Sequence, residues 1–183
     1  MRVFRCDGYY QEAMRLHGFL RYGGLMSNRF KHARPFLGII VLVNGSKFCI
    51  PFSSNSHQKK KNFESMRENI TFRKICDKDG KILAALNLNN MIPVREEYIT
   101  EIDLKIHQND TPAMLQWKKL CIKELNWCQS HQSEIERLAN ELYRLYTSNE
   151  PFEKRKICLN FPALEKECNK NREIKNKQSM RCK

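Results

Sequence analysis

The stretch Arg34-Pro35-Phe36-Leu37-Gly38-Ile39-Ile40-Val41-Leu42-Val43, then Asn44-Gly45, then Ser46-Lys47-Phe48-Cys49-Ile50-Pro51-Phe52 decides the fold. Asn-Gly between two apolar, β-branched runs predicts a two-residue turn in which both residues reach positive φ. The runs become strands 34–43 and 46–53, paired antiparallel. That pairing folds Arg34 back toward Ser53 and Ser54. The second strand ends in Ser53-Ser54-Asn55-Ser56-His57-Gln58-Lys59-Lys60-Lys61. One end of the sheet therefore collects Lys31, His32 and Arg34 with hydroxyls, an amide, an imidazole and three ammonium groups.

Outward from the hairpin, Arg2–Cys6 reads as an opening strand and Gly8 to about Leu20 as a helix carrying Tyr9 and Tyr10. One of these tyrosines is expected in the core and the other presenting its phenol; the sequence does not choose. Ile70–Cys76 and Lys81–Leu88, joined by Asp79-Gly80, form a second hairpin, and Pro93 marks Met91–Val94 as an edge or strand end. After residue 110 the period changes. Thr111-Pro112 is a helix start. Met114, Trp117, Cys121, Leu125 and Cys128 follow at helical spacing, then Ile135, Leu138, Leu142 and Leu145. Trp117 and Trp127 are expected in the core. Phe161 opens a last short helix. Strands first and helices later give an α+β domain over residues 1–168, with a strongly twisted antiparallel sheet or small barrel surrounded by helices. Residues 169–183 read as a basic, mobile tail.

The chain has 183 residues, 41% of them hydrophobic and 29% charged, which is enough for one soluble domain with a real core. No apolar run approaches a membrane span and the start lacks signal-peptide character, so the expected location is the cytoplasm. The eight cysteines make no Cys-x-x-Cys pair and no zinc-like cluster with histidine; they are expected as reduced core residues, with no metal and no cofactor. Net charge is +13, of which residues 1–94 carry +10. A positive field confined to one region suits a polyanion, RNA or DNA.

The serine cluster has two readings. As structure, it is a strand end closed by turn-forming side chains. As chemistry, it can hold a phosphodiester while His57, which titrates near neutral pH, moves protons. The lysine run alone is weak and reads first as a solvated face.

Arg34-Pro35-Phe36-Leu37-Gly38-Ile39-Ile40, Asn44-Gly45, Ile50-Pro51-Phe52-Ser53-Ser54 and Leu86-Asn87-Leu88-Asn89-Asn90-Met91-Ile92-Pro93-Val94 resemble the ToxN/AbiQ family, closest to its CptN branch. The resemblance runs from Met1 to about Tyr146. It implies a metal-independent, sequence-selective endoribonuclease toxin of a type III toxin–antitoxin system, on a fold similar to the MazF/CcdB barrels. It also implies inhibition by a small pseudoknot RNA that the toxin cuts from a repeated precursor and keeps, in a closed ring of alternating protein and RNA. In phage-resistance members, release of the toxin arrests the infected cell.

By position, Ser53 and Ser54 match the family's Thr/Ser-Ser pair, Tyr10 a tyrosine of the first helix, and Arg34 a basic residue before the hairpin. Many members continue Ser-Pro-Lys; here Ser54-Asn55-Ser56 stands instead, and the lysine is missing. His57, or Lys59 reaching back, is expected to replace it. The catalytic set is then Ser53, Ser54, His57 and Tyr10. The RNA contacts are Lys31, Arg34, Asn55, Ser56, Lys59, Lys60 and Lys61. A non-catalytic RNA-binding module is the opposing reading, and a DNA-directed poison follows from fold analogy alone.

Overall fold

The computed structural model describes residues 1–6, 37–54 and 63–170, with Ser54 described through its backbone only. The hairpin forms as its sequence requires. Strand β2 (Leu37–Val43) pairs antiparallel with β3 (Ser46–Ser54), from Val43 opposite Ser46 to Gly38 opposite Pro51. Between them Asn44 has φ 48° and Gly45 φ 78°, the two left-handed residues of a type I′ turn. Gly38 is needed for a different reason. A Cβ there would lie 2.2 Å from the carbonyl oxygen of Ile50 and 2.8 Å from Cys49 Sγ.

Strand β1 (Val3–Cys6) covers the other edge of β2, with Val3 opposite Ile39, and itself pairs with a later short strand, Ile99–Glu101 (β7 in chain order). β4 (Phe72–Cys76) and β5 (Ile82–Asn87) form the second hairpin, closed by a turn in which Gly80 has φ 78°. β6 is only Ile92–Pro93. On the edge of β3 away from β2, the partner changes along the strand. Phe48 and Cys49 face Pro93 and Ile92, whereas Phe52, Ser53 and Ser54 face Leu86, Ala85 and Ala84. The order is β4-β5-β3-β2-β1-β7, with β6 branching from β3.

The expected mixed α+β class and antiparallel sheet are present, but the small barrel is not. Among the described strands, β4 and β7 end the path and do not pair with each other. The physical reason lies in β3. Its far edge is shared between β6 and β5, so the sheet forks where a barrel would continue curling toward closure.

Helix α1 (Pro112–Ser130) starts where expected: Thr111 Oγ1 accepts from the Met114 amide at 3.2 Å and proline occupies the first turn. It packs on β4 and β5. Helix α2 (Gln132–Thr147) lies over β2 and buries Ile135, Leu138, Ala139 and Leu142. His131 joins the two helices, its ring stacked on Trp127 at 4.0 Å and its Nδ1 2.8 Å from the Trp127 carbonyl. Residues 161–170 form α3, so the helix continues two residues past the domain limit expected at 168.

The core gathers both sheet and helices. Phe48 of β3 meets Tyr143 of α2 edge-on at 5.9 Å and Phe161 of α3 at 6.2 Å. Cys6, Cys49, Cys121, Cys128 and Cys168 are buried and unbridged, as small apolar groups.

The apolar stripe expected along α1 needs correction. Trp117 is 37% exposed and Met114 47% exposed. The buried face begins at Lys118 and includes Glu124, positions that an apolar count passes over. Lys118 is buried because Nζ bonds both carboxylate oxygens of Asp110 at 2.9 Å and the Lys105 carbonyl at 2.6 Å. That clasp fixes the loop leading into α1. Trp127 does pack against the core.

Candidate functional site

The described part of the candidate site is the far end of β3 and the end of β5. Ser53 lies directly opposite Ala85, with Phe52 opposite Leu86 and Ser54 opposite Ala84. Two residues beyond Ala85 on β5, Asn87 shares its face and reaches back diagonally. Asn87 Nδ2 donates to Ser53 Oγ at 2.7 Å, partly shielded from solvent. Beneath them, Phe63, Phe72 and Ala85 form a small apolar cluster, with Phe63 and Phe72 rings 5.7 Å apart. Phe72 pairs with Asn87 across the β4–β5 ladder. The Ser53–Asn87 pair is thus held by backbone pairing on two sides.

Asn87 also precedes the 3-10 turn Leu88–Asn90, in the position where asparagine usually caps its own helix. Here it makes no such cap hydrogen bond. Ser53 accepts from Asn87, and among the described residues its hydroxyl donates to nothing. With one of its two lone pairs engaged, the Ser53 hydroxyl keeps its proton available to donate, as far as the described residues go.

Of the residues singled out from the sequence, Ser53 is placed in this way. Ser54 closes β3 opposite Ala84. Tyr10, Lys31, Arg34, Asn55, Ser56, His57, Lys59, Lys60 and Lys61 lie outside the described residues. Asn87 is a site residue that sequence reasoning does not single out, although its segment carries part of the family resemblance. The signal for it was a polar residue between Leu86 and Leu88, both fully buried.

A second feature is assembled from distant positions. Lys119 and Lys123, one turn apart on α1, and Lys81 before β5 flank a groove of about 500 Å³ floored by Leu83, Leu115 and Leu120. Among the described residues, none of the three lysines makes an ion pair, whereas Lys47, Lys118, Arg73 and Arg144 all do. Leu83 reaches the groove through a bulge. Ile75 faces Ala84 and Cys76 faces Ile82, which leaves Leu83 as the extra residue. No group of three or more potential metal ligands occurs among the described residues, and no described helix is long and apolar enough to cross a membrane.

Comparison with known proteins gives the family. Residues 25–169 match the family described as toxin ToxN, type III toxin–antitoxin system. The endoribonuclease ToxN of Bacillus thuringiensis subsp. kurstaki is 30% identical over 148 residues, spanning 78% of this chain and 71% of that protein. Among solved structures, the lactococcal anti-phage endoribonuclease AbiQ, of a type III system, superposes with TM-score 0.73 at 19% identity, covering 94% of this chain and 98% of its own. A toxin from work on selective inhibition by a non-coding RNA pseudoknot gives 0.69 at 23% identity, with the same coverage of 94% and 98%. The chain therefore shares the overall fold of these toxins. This chain belongs to the ToxN family, the endoribonuclease toxins of type III toxin–antitoxin systems.

Proposed function

We propose that this toxin cleaves RNA without a metal, by attack of the ribose 2′-hydroxyl on the adjacent phosphate. The new bond is 2′-O–P and the broken bond is P–O5′. One proton leaves the 2′-hydroxyl for a base and another reaches the departing 5′-oxygen. The products are a 2′,3′-cyclic phosphate and a free 5′-hydroxyl. Ser53 donates to a non-bridging phosphate oxygen, with Ser54 beside it. His57 is the leading acid or base and Tyr10 its partner. Lys31 and Arg34 neutralise the phosphorane. Asn55, Ser56, Lys59, Lys60 and Lys61 hold the flanking backbone. The observation that carries this reading is the Ser53 hydroxyl, held by Asn87 and with no acceptor for its proton among the described residues, within a family of endoribonucleases.

The resident partner is a small pseudoknot RNA, cut from a repeated precursor and retained in a closed ring of alternating protein and RNA; the substrate is cellular or phage mRNA in the cytoplasm. The groove between Lys81, Lys119 and Lys123 supplies a further backbone track, with leucines under the bases. Purified protein incubated with RNA in excess chelator tests the chemistry. Cleavage should persist, and the downstream product should accept phosphate from a polynucleotide kinase with no prior phosphatase step. A 5′-phosphate on that product, or activity abolished by the chelator, would overturn the scheme. Undiminished cleavage by Ser53→Ala and Ser54→Ala would remove the serines from it.

A further inference from the structure

Asn87 is the side chain that holds Ser53, and the inference drawn from it rests on the placement of Ser53 at the scissile phosphate. We infer that Asn87 is a positioning residue, which holds the Ser53 hydroxyl as an outward donor in the endoribonuclease reaction.

Three observations converge. The Nδ2–Oγ distance is 2.7 Å, at the short end for an amide donor. The amide is withdrawn from the local capping role that its position before the Leu88–Asn90 turn would offer. Ser53 makes no other hydrogen bond among the described residues, and neither does the Asn87 amide.

A serine hydroxyl rotates freely about its C–O bond, and its proton goes to the best nearby acceptor. With an N–H directed at one lone pair, the proton is driven to the opposite side. Donation into the oxygen also strengthens the O–H as a donor, because linked hydrogen bonds polarise one another. A phosphate oxygen gains negative charge as the phosphorane forms. A donor fixed in advance therefore favours the transition state more than the bound substrate.

The ladder supports the same geometry. Ala85, opposite Ser53, carries only a methyl group, so nothing on β5 fills the space across which Asn87 reaches. Asn87 itself is pinned by its pairing with Phe72. An acceptor at this position would reverse the arrangement: a carboxylate would draw the Ser53 proton inward and turn a lone pair toward the phosphate.

The test uses the full chain and a 5′-labelled RNA carrying a cut site mapped with the unaltered toxin. Asn87→Ala should lower kcat at least about tenfold while KM changes less than twofold. In a Ser53→Ala background the same substitution should change the rate less than twofold, since its only route of action is gone. Asn87→Asp is isosteric and keeps the fold if the alanine variant does not. At pH 8 it should be as impaired as Asn87→Ala. Its rate relative to the unaltered toxin should climb as pH falls toward the carboxyl range, where the protonated acid again donates to Ser53.

A fully active Asn87→Ala beside an inactive Ser53→Ala would overturn the positioning role and leave the serine assignment standing. An Asn87→Asp ratio flat with pH, or an equal loss from Asn87→Ala in both backgrounds, would also overturn it. Full activity of Ser53→Ala would instead remove the reading on which it rests.

Discussion

Asn140 on helix α2 binds both sides of the hairpin turn: its Nδ2 donates to the Leu42 carbonyl at 2.9 Å and its Oδ1 accepts from the Asn44 amide at 3.0 Å. A helix nearly a hundred residues away in sequence thereby fixes the geometry of a two-residue loop. Asn140→Ala should cost about 1–2 kcal/mol: it removes these two bonds and a third, from Nδ2 to the Glu136 carbonyl at 2.9 Å, each exposed bond worth about 0.5–1 kcal/mol, offset in part by alanine's better helix propensity. Urea unfolding measures it; an unchanged midpoint would show that the clamp contributes nothing.

Gly38→Ala should be far more damaging. Its Cβ would collide first with the Ile50 carbonyl, backbone that cannot rotate away, and also with Cys49 Sγ. The strands must separate locally, at a cost of about 2–3 kcal/mol or more. A variant as stable as the parent in urea would contradict the close approach between β2 and β3.

Glu124 gives the fold a pH dependence. Burial pushes its carboxyl up from an ordinary value of 4.5 to about 7, between the buried thiols of Cys121 and Cys128. The folded state holds this proton more tightly than the unfolded chain. Stability is therefore unaffected below about pH 4.5 and falls as pH rises from there to about 7, by about 3 kcal/mol in all. Glu124→Gln should remove that slope and raise the unfolding midpoint most at pH 8. Identical pH profiles for the two proteins would disprove it.

Replacing Lys81, Lys119 and Lys123 together by glutamine should weaken RNA binding and reduce the salt dependence. With three ammonium groups no longer neutralising phosphates, the slope of log K against log salt should drop by about 2. Fluorescence anisotropy with a single-stranded RNA, measured from about 50 to about 300 mM salt, reads it. A parallel slope would show that the groove does not contact the backbone.

Much of this architecture was legible because local chemistry forced it. Asn44-Gly45 set a turn and its register, and Thr111-Pro112 set a helix start, since each needs only neighbouring residues. The open sheet was not legible. Whether β3 meets one partner or two depends on where Ile92–Pro93 and Ile82–Asn87 arrive from elsewhere in the chain. The buried face of α1 escapes the local pattern for the same reason. Lys118 is interior only because Asp110 and the Lys105 carbonyl meet it there, and Trp117 lies before that face begins. At the site, Ser53 could be picked out by its company in sequence. Asn87, 34 residues on, could not, because a diagonal contact across a ladder leaves no local mark.

Strand periodicity makes the turn a distant ruler for the far end of β3. Adding one residue between Val43 and Ser46, with the two-residue turn kept, would exchange the two faces of β3, sending Phe52 where Ser53 now stands. The toxin would then present a benzyl ring to Asn87 in place of the alcohol. Loop length at one end of this ribbon thus decides which side chain of β3 stands beside Asn87 at the other, with no change to the residues at that end.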